Sequence, residues 1–134
     1  LPLVVAGDGP LAEAVRARAG EHVRFVGRVS PAEVERLRAA AARPIVPSRS
    51  AEVLPLAAVE AMGAGVAVVA SAVGGIPELV GDPAALVPPG DPVALAAVAR
   101  ARFGDARAGE QGLERIRALS APDAVAARLA AAYG

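Results

Sequence analysis

The chain contains no lysine, no cysteine and no tryptophan, a single histidine, and only three aromatic residues, Phe25, Phe103 and Tyr133. Without cysteine, disulfides and thiolate chemistry are excluded, and one imidazole, His22, cannot build a histidine-rich metal centre, so no metal is expected. Fourteen arginines balance fourteen acids, giving zero net charge. No basic stripe is available for a phosphate backbone, and a nucleic-acid partner is not expected. Long apolar runs are missing as well. Residues 61–77 carry no charge, but Gly63, Gly65, Gly74, Gly75 and Pro77 interrupt them, which argues against a transmembrane segment. The opening residues show neither a basic leader nor an apolar stretch of signal length before Asp8, so no export signal is expected and a cytoplasmic setting fits.

What is present is a chain of 134 residues, the length of one compact domain, with 54% apolar side chains, many of them alanine. Side chains this small imply closely spaced layers. Short β-branched runs alternate with longer segments of Ala, Leu, Arg and Glu, the signature of β-α-β units around a parallel sheet. Leu3–Ala6, Val23–Val26, Pro44–Pro47, Val66–Ala70 and Ala84–Val87 read as strands. Helices are expected over Leu11–Ala19, from Ser30 to about Ala41, from Pro55 to near Gly63, and from Asp91-Pro92 to about Arg102, with one helical turn at Pro77–Val80. Two amphipathic helices, Glu110–Leu119 and Pro122–Tyr133, close the chain. The uninterrupted apolar run Val66–Ala70 suits a strand covered on both faces, the centre of the sheet. The fold expected is α/β: a Rossmann-like parallel sheet with helices on both faces and a helical C-terminal tail, in a single domain over 1–134.

In open α/β sheets ligands bind beyond the carboxyl ends of the strands. Four loops qualify: Gly7–Pro10, Gly27–Ser30, Ser48–Pro55 and Ser71–Pro77. The last two lead into helix starts marked by proline, where free N–H groups and the helix dipole favour a phosphate. Two acids stand out. Glu52 lies in the loop before a helix, and Glu60 lies inside the apolar segment Leu56–Met62. A carboxylate held against a sheet requires a hydrogen-bonding partner, and two vicinal ribose hydroxyls would supply one. The other reading places Glu60 on the solvent side of its helix. For Gly74-Gly75 the choice lies between a plain turn and a close approach of backbone to a ligand. His22, Asp8, Arg28 and Arg49 read as turn or surface residues; Met62, Phe25, Phe103 and Tyr133 read as packing residues.

Glu52-Val53-Leu54-Pro55-Leu56-Ala57-Ala58-Val59-Glu60-Ala61-Met62-Gly63-Ala64-Gly65 resembles the E-x7-E signature of the retaining GT-B glycosyltransferases of family 4, followed by their E-A-M-x-x-G. Gly7–Pro10, Phe25–Gly27, Pro47-Ser48, Val68–Ser71, Gly74–Glu78 and Leu86–Pro92 follow in family order, so the resemblance runs from the first residue to about Leu95. It implies the donor-binding half of an enzyme that moves a hexosyl-type sugar from a nucleoside diphosphate sugar, carrying UDP, GDP or ADP, to an unknown acceptor. The nucleotide sugar is the substrate, and no cofactor is implied. By the same resemblance Glu60 holds the ribose, and Glu52 is the catalytic-site acid on the sugar hydroxyls. The amides of Val53 and Leu54 face sugar and diphosphate, Gly74 and Gly75 line the donor site, and Gly27, Val29 and Ser30 border the nucleobase.

The sequence departs from the family at two places. Glu52-Val53-Leu54-Pro55 stands where the common form has Glu-Gly-Phe-Gly, and resembles a subgroup reading Trp-x-Glu-Asn-x-Pro, with Ser50 and Val53 in place of its Trp and Asn. The acceptor-binding N-terminal domain, and the opening strand and helix bearing the diphosphate-neutralising Arg and Lys, would precede Leu1. Their loss is expected to leave this chain inactive by itself, since those cations stabilise charge on the leaving phosphate. The parent enzyme would be cytoplasmic, or peripheral to a membrane. A missing strand would also leave an open sheet edge, through which a homodimer is expected. A non-catalytic nucleotide-sugar or phosphate binding module, or an inert excised domain, is the alternative.

Overall fold

A computed structural model of the chain describes residues 2–133. The chain separates into two compact units, one ending at Ala40 and the other beginning at Ala41. Every strand pairing in both is parallel.

The first unit contains β1 (Leu3–Ala6), α1 (Ala12–Arg18), β2 (Val23–Gly27) and α2 (Pro31–Ala40). Val5 lies opposite Phe25, and the register then slips so that Ala6 meets Gly27. Gly27 takes φ 69°, and its carbonyl accepts the Gly7 N–H at 2.7 Å, which closes the two strand ends together. Arg16 on α1 lies over the Phe25 ring, 5.6 Å from its centre, a cation–π contact. Ser30 caps α2 as its sequence predicts, its Oγ accepting the Glu33 N–H at 3.2 Å.

The second unit runs β3 (Ile45–Val46), α3 (Leu56–Gly63), β4 (Val69–Ser71), α4 (Ile76–Val80), a 3-10 turn (Pro83–Ala85), β5 (Leu86–Val87), α5 (Pro92–Ala101), α6 (Ala106–Ser120) and α7 (Pro122–Tyr133). The sheet order is β3-β4-β5, and every residue of β4 is buried, as expected of the central strand. Pairing starts only at Val69 because the preceding residues stay tied to the end of α3, Val66 N–H donating to the Ala61 carbonyl at 3.0 Å. The last strand is likewise shorter than Ala84–Val87. Asp82 accepts the Ala84 N–H at 3.0 Å and winds Pro83–Ala85 into a turn first. The core gathers Val46, Ala58, Ala61, Met62, Val68, Ala70, Ile76 and Leu79, with Ile116 and Leu119 of α6 packed on it. Two aromatics expected to pack do not: Phe103 is 55% and Tyr133 86% exposed. Among the described residues no helix is long and apolar enough to cross a membrane.

The tail helix α6 begins at Ala106, four residues before Glu110, where the sequence reading starts it. Gly109 and Gly112 look like helix breakers but are contact points. A Cβ on Gly109 would come within 2.1 Å of the Gly65 carbonyl oxygen, and one on Gly112 within 3.5 Å of Met62. The helix sits directly on the chain end of α3. Asp105 caps it, accepting the Ala108 N–H at 3.1 Å. That bond first, and Arg102 second, hold the Asp105 carboxyl below its ordinary value. Its contribution is therefore present above the ordinary carboxylate range and fades as pH falls through the lowered value.

Arg102 donates to both Asp82 and Asp105. Burial works to lower the pKa of Arg102, yet these two carboxylates together hold it above the ordinary value. Arg43, just before β3, is the opposite case: all three of its guanidinium nitrogens are buried and none has a hydrogen-bond partner among the described residues. Desolvation, and then the nearby Arg102, hold its pKa below the usual value. A buried cation without an acceptor is destabilising. Arg43→Met is accordingly expected to stabilise the chain by about 1–3 kcal/mol, read as a rise of several degrees in Tm; an unchanged or lower Tm would contradict the account. Gly109→Ala should do the reverse. The clash with Gly65 costs roughly 1–3 kcal/mol, more than the ~1 kcal/mol that alanine gains in a helix, and urea titration of both variants measures the difference.

Candidate functional site

The carboxyl ends of β3 and β4 lead into the loops 47–55 and 72–75, and the two loops meet backbone to backbone. The Gly75 N–H donates to the Glu52 carbonyl at 2.7 Å. A Cβ on Gly74 would sit 2.5 Å from that carbonyl oxygen and 2.6 Å from the Glu52 amide nitrogen; one on Gly75 would sit 2.5 Å from the Val53 carbonyl oxygen. Gly74 also takes φ 57°, in the left-handed region. No side chain fits at either position. The glycine pair is thus more than a plain turn: its lack of side chains brings the turn after β4 against Glu52 and fixes where that residue lies.

Glu52 is half-buried, and its Oε1 accepts a hydrogen bond from Ser48 Oγ. The residue is held at its carbonyl by one loop and at its carboxylate by its own. Beyond it the chain opens to solvent, with Val53 93% and Leu54 56% exposed, before Pro55 anchors it again as a fully buried residue and the N-cap of α3. No side chain caps that helix start.

Along α3, Ala58, Ala61 and Met62 face the core, and Glu60 lies on the exposed side. Desolvation therefore does not demand a ligand for Glu60, and the solvent-side reading of its helix position is the one the structure bears out. Gly27, Val29 and Ser30 lie in the first unit, at the end of β2 and the start of α2, where the Ser30 hydroxyl is occupied as a cap. Glu52, Val53, Leu54, Glu60, Gly74 and Gly75 lie in the second.

A cleft of ≈ 290 Å³ opens at the same strand ends, lined by Pro47, Arg49, Ser71, Gly90, Asp91 and Leu95. Asp91 spends its Oδ1 on the first turn of α5, accepting from Val93 at 3.1 Å and Ala94 at 2.8 Å. A larger hollow of ≈ 380 Å³, bordered by Met62, Ala67, Gly81, Gln111 and Arg115, lies at the opposite, amino ends of β4 and β5, away from Glu52 and Glu60. Size does not mark the site here. Strand polarity and the two loop contacts do. Among the described residues no group of three or more His, Asp or Glu is placed to hold a metal ion.

Ser48 and Arg115 are the residues whose roles sequence reasoning missed. The spacing Ser48 to Glu52 was visible, but a hydroxyl bond within one loop leaves no periodic trace. Arg115 reaches from α6 to donate to the Leu79 carbonyl at 2.8 Å and to that of Glu78, closing the end of α4.

The profile of the family described as glycosyl transferases group 1 matches residues 1–105. Sucrose-phosphate synthase from Thermosynechococcus elongatus superposes with a TM-score of 0.77 at 32% identity, over 98% of this chain and 37% of that one. HepE from Anabaena superposes in its complex with UDP-glucose (TM-score 0.75, 22% identity, 97% of this chain, 41% of that one) and in its complex with UDP (0.77, 23%, 98% and 41%). No curated protein matches the sequence. The chain thus spans about two fifths of the length of these solved relatives. On the matched segment, which holds both acids and the glycine turn that fixes Glu52, the chain belongs to the group 1 glycosyltransferases.

Proposed function

We propose that this chain is the donor-binding domain of a retaining glycosyltransferase, whose parent enzyme passes a sugar from a nucleoside diphosphate sugar to an acceptor. The observation that carries the reading is the double hold on Glu52, at its carbonyl by Gly75 and at its carboxylate by Ser48, at the carboxyl end of the sheet. A carboxylate fixed in this way is preorganised to accept sugar hydroxyls rather than to wander in solvent. In this assignment Glu52 contacts the sugar, and the exposed chain at Val53 and Leu54 offers its amides to sugar and diphosphate. Glu60, exposed on α3, accepts the two ribose hydroxyls, while Gly27, Val29 and Ser30 border the base. Gly74 and Gly75 act by holding Glu52.

The rest of the machinery, an acceptor-binding half and the basic residues that neutralise the diphosphate, is assigned to a longer cytoplasmic or membrane-peripheral parent. The length ratio to the solved relatives supports that. The chain alone would bind donor without turning it over. β1 and β3 each pair on one side only within their sheets, so self-association through a strand edge is also proposed; a strict monomer by light scattering at high concentration would remove it.

Calorimetric titration with UDP, GDP and ADP should show saturable binding of one of the three. Glu60→Ala should weaken it about 10- to 100-fold, the equivalent of losing charge-assisted hydrogen bonds worth roughly 1.5–3 kcal/mol. Binding of none, or binding indifferent to Glu60, would favour an inert fragment. Gly74→Ala should cost about 2 kcal/mol or more in thermal stability, from the left-handed φ and the clash with Glu52 together. It should also weaken the nucleotide sugar more than the nucleotide. Equal weakening of both would separate the glycine turn from the sugar site.

A further inference from the structure

We infer that Ser48 is a positioning residue, which fixes the rotamer of Glu52 and so holds its carboxylate in one orientation for the transferred sugar. The inference rests on the donor-site reading of Glu52 and deepens it. Ser48 and Glu52 are both half-buried, and the bond runs from Ser48 Oγ to Glu52 Oε1 within the loop that leaves β3. Ser48 follows directly on the strand end and its exposed neighbour Pro47, so its Cβ direction is set by the sheet rather than by a free loop. Glu52 cannot rotate its backbone to compensate, because its carbonyl is bound by Gly75 and its amide lies against Gly74. With main chain and Oε1 both fixed, the side chain keeps one orientation, and the rotamer freedom of a surface glutamate is removed before any ligand arrives.

An ionised carboxylate with both oxygens open grips two vicinal hydroxyls. With Oε1 held by Ser48, the remaining acceptor sites, one on Oε1 and those of Oε2, keep one fixed direction. Ser48 thereby makes Glu52 selective for where the sugar hydroxyls lie. In this reading Ser48 acts through Glu52, so its removal should be felt by the sugar and not by the nucleotide.

The test compares wild type, Ser48→Ala and Ser48→Thr by calorimetry with UDP-glucose and with UDP, alongside a crystal structure of ligand-free Ser48→Ala. The alanine variant should bind UDP-glucose about five- to tenfold more weakly while UDP stays within twofold, the scale of one ordinary net hydrogen bond lost from the preorganised site. Threonine, which keeps the hydroxyl, should restore wild-type affinity. In the ligand-free variant the Glu52 carboxylate should leave its wild-type position. Equal loss of both ligands, failure of threonine to rescue, or a Glu52 carboxylate unmoved in the crystal would each overturn the inference. Failure of wild type to bind UDP-glucose, GDP-glucose or ADP-glucose would instead strike the donor-site reading, and the crystallographic comparison would still decide whether Ser48 holds Glu52.

Discussion

Two loops of the second unit touch through main chain alone, where the turn after β4 lies against the segment that leaves β3. The Gly75 N–H meets the Glu52 carbonyl at 2.7 Å, in a space that a single methyl group at Gly74 would fill. This approach is what converts two short strands into a site. β3 and β4 share only the pairs Ile45 with Val69 and Val46 with Ala70, too little ladder to set Glu52 six residues downstream. The inter-loop bond continues the strand pairing beyond the sheet, and Pro55, buried on the far side of the exposed segment, pins its other end. The bond between Ser48 and Glu52 depends on that clamp.

The same economy of side chains recurs where α6 meets α3. Gly109 lets the helix backbone reach the Gly65 carbonyl, and Gly112 leaves room for Met62, the largest fully buried side chain of the core cluster. A composition rich in alanine and glycine and poor in aromatics does not weaken such a fold if its layers approach closely enough for dispersion contacts to make up the lost area. Arg43 marks the limit of this strategy. A long cationic side chain has been carried into an interior built for small ones, and its guanidinium finds no acceptor there.

Much of this was legible in the sequence, and the reasons differ by element. The alternation of apolar runs and helical segments located the five strands of the described residues, and β4, buried on both faces, left the uninterrupted signal Val68–Ala70. Ser30 and Asp91 announced their helices through side chains that do cap them. The misjudged ends have one cause: local pattern does not record tertiary contact. The tail helix starts at Ala106 rather than Glu110, and Gly109 within it has low local helix propensity but a distant contact, the Gly65 carbonyl. Phe103 and Tyr133 looked buried because they are aromatic, yet each stands near the end of a helix with nothing packed over it. For the candidate site, family order pointed to Glu52, Glu60 and the glycine pair. Sequence could not tell that Glu60 is exposed, that the glycines act on Glu52, or that Ser48 shares its carboxylate, since all three depend on side-chain direction.

The contacts of α6 bear on where this domain ends. The family match stops at residue 105, just at the cap of α6. Yet Arg115, well past that point, closes the carbonyl end of α4, and α4 is a five-residue rod whose other end is the glycine turn. A fragment cut at the limit of the family match would therefore uncover Met62 and release the C-terminus of α4, loosening from behind the turn that positions Glu52. The smallest autonomous piece of this protein is set by mechanical support for its loops rather than by the extent of recognisable sequence, and the tail belongs to the scaffold.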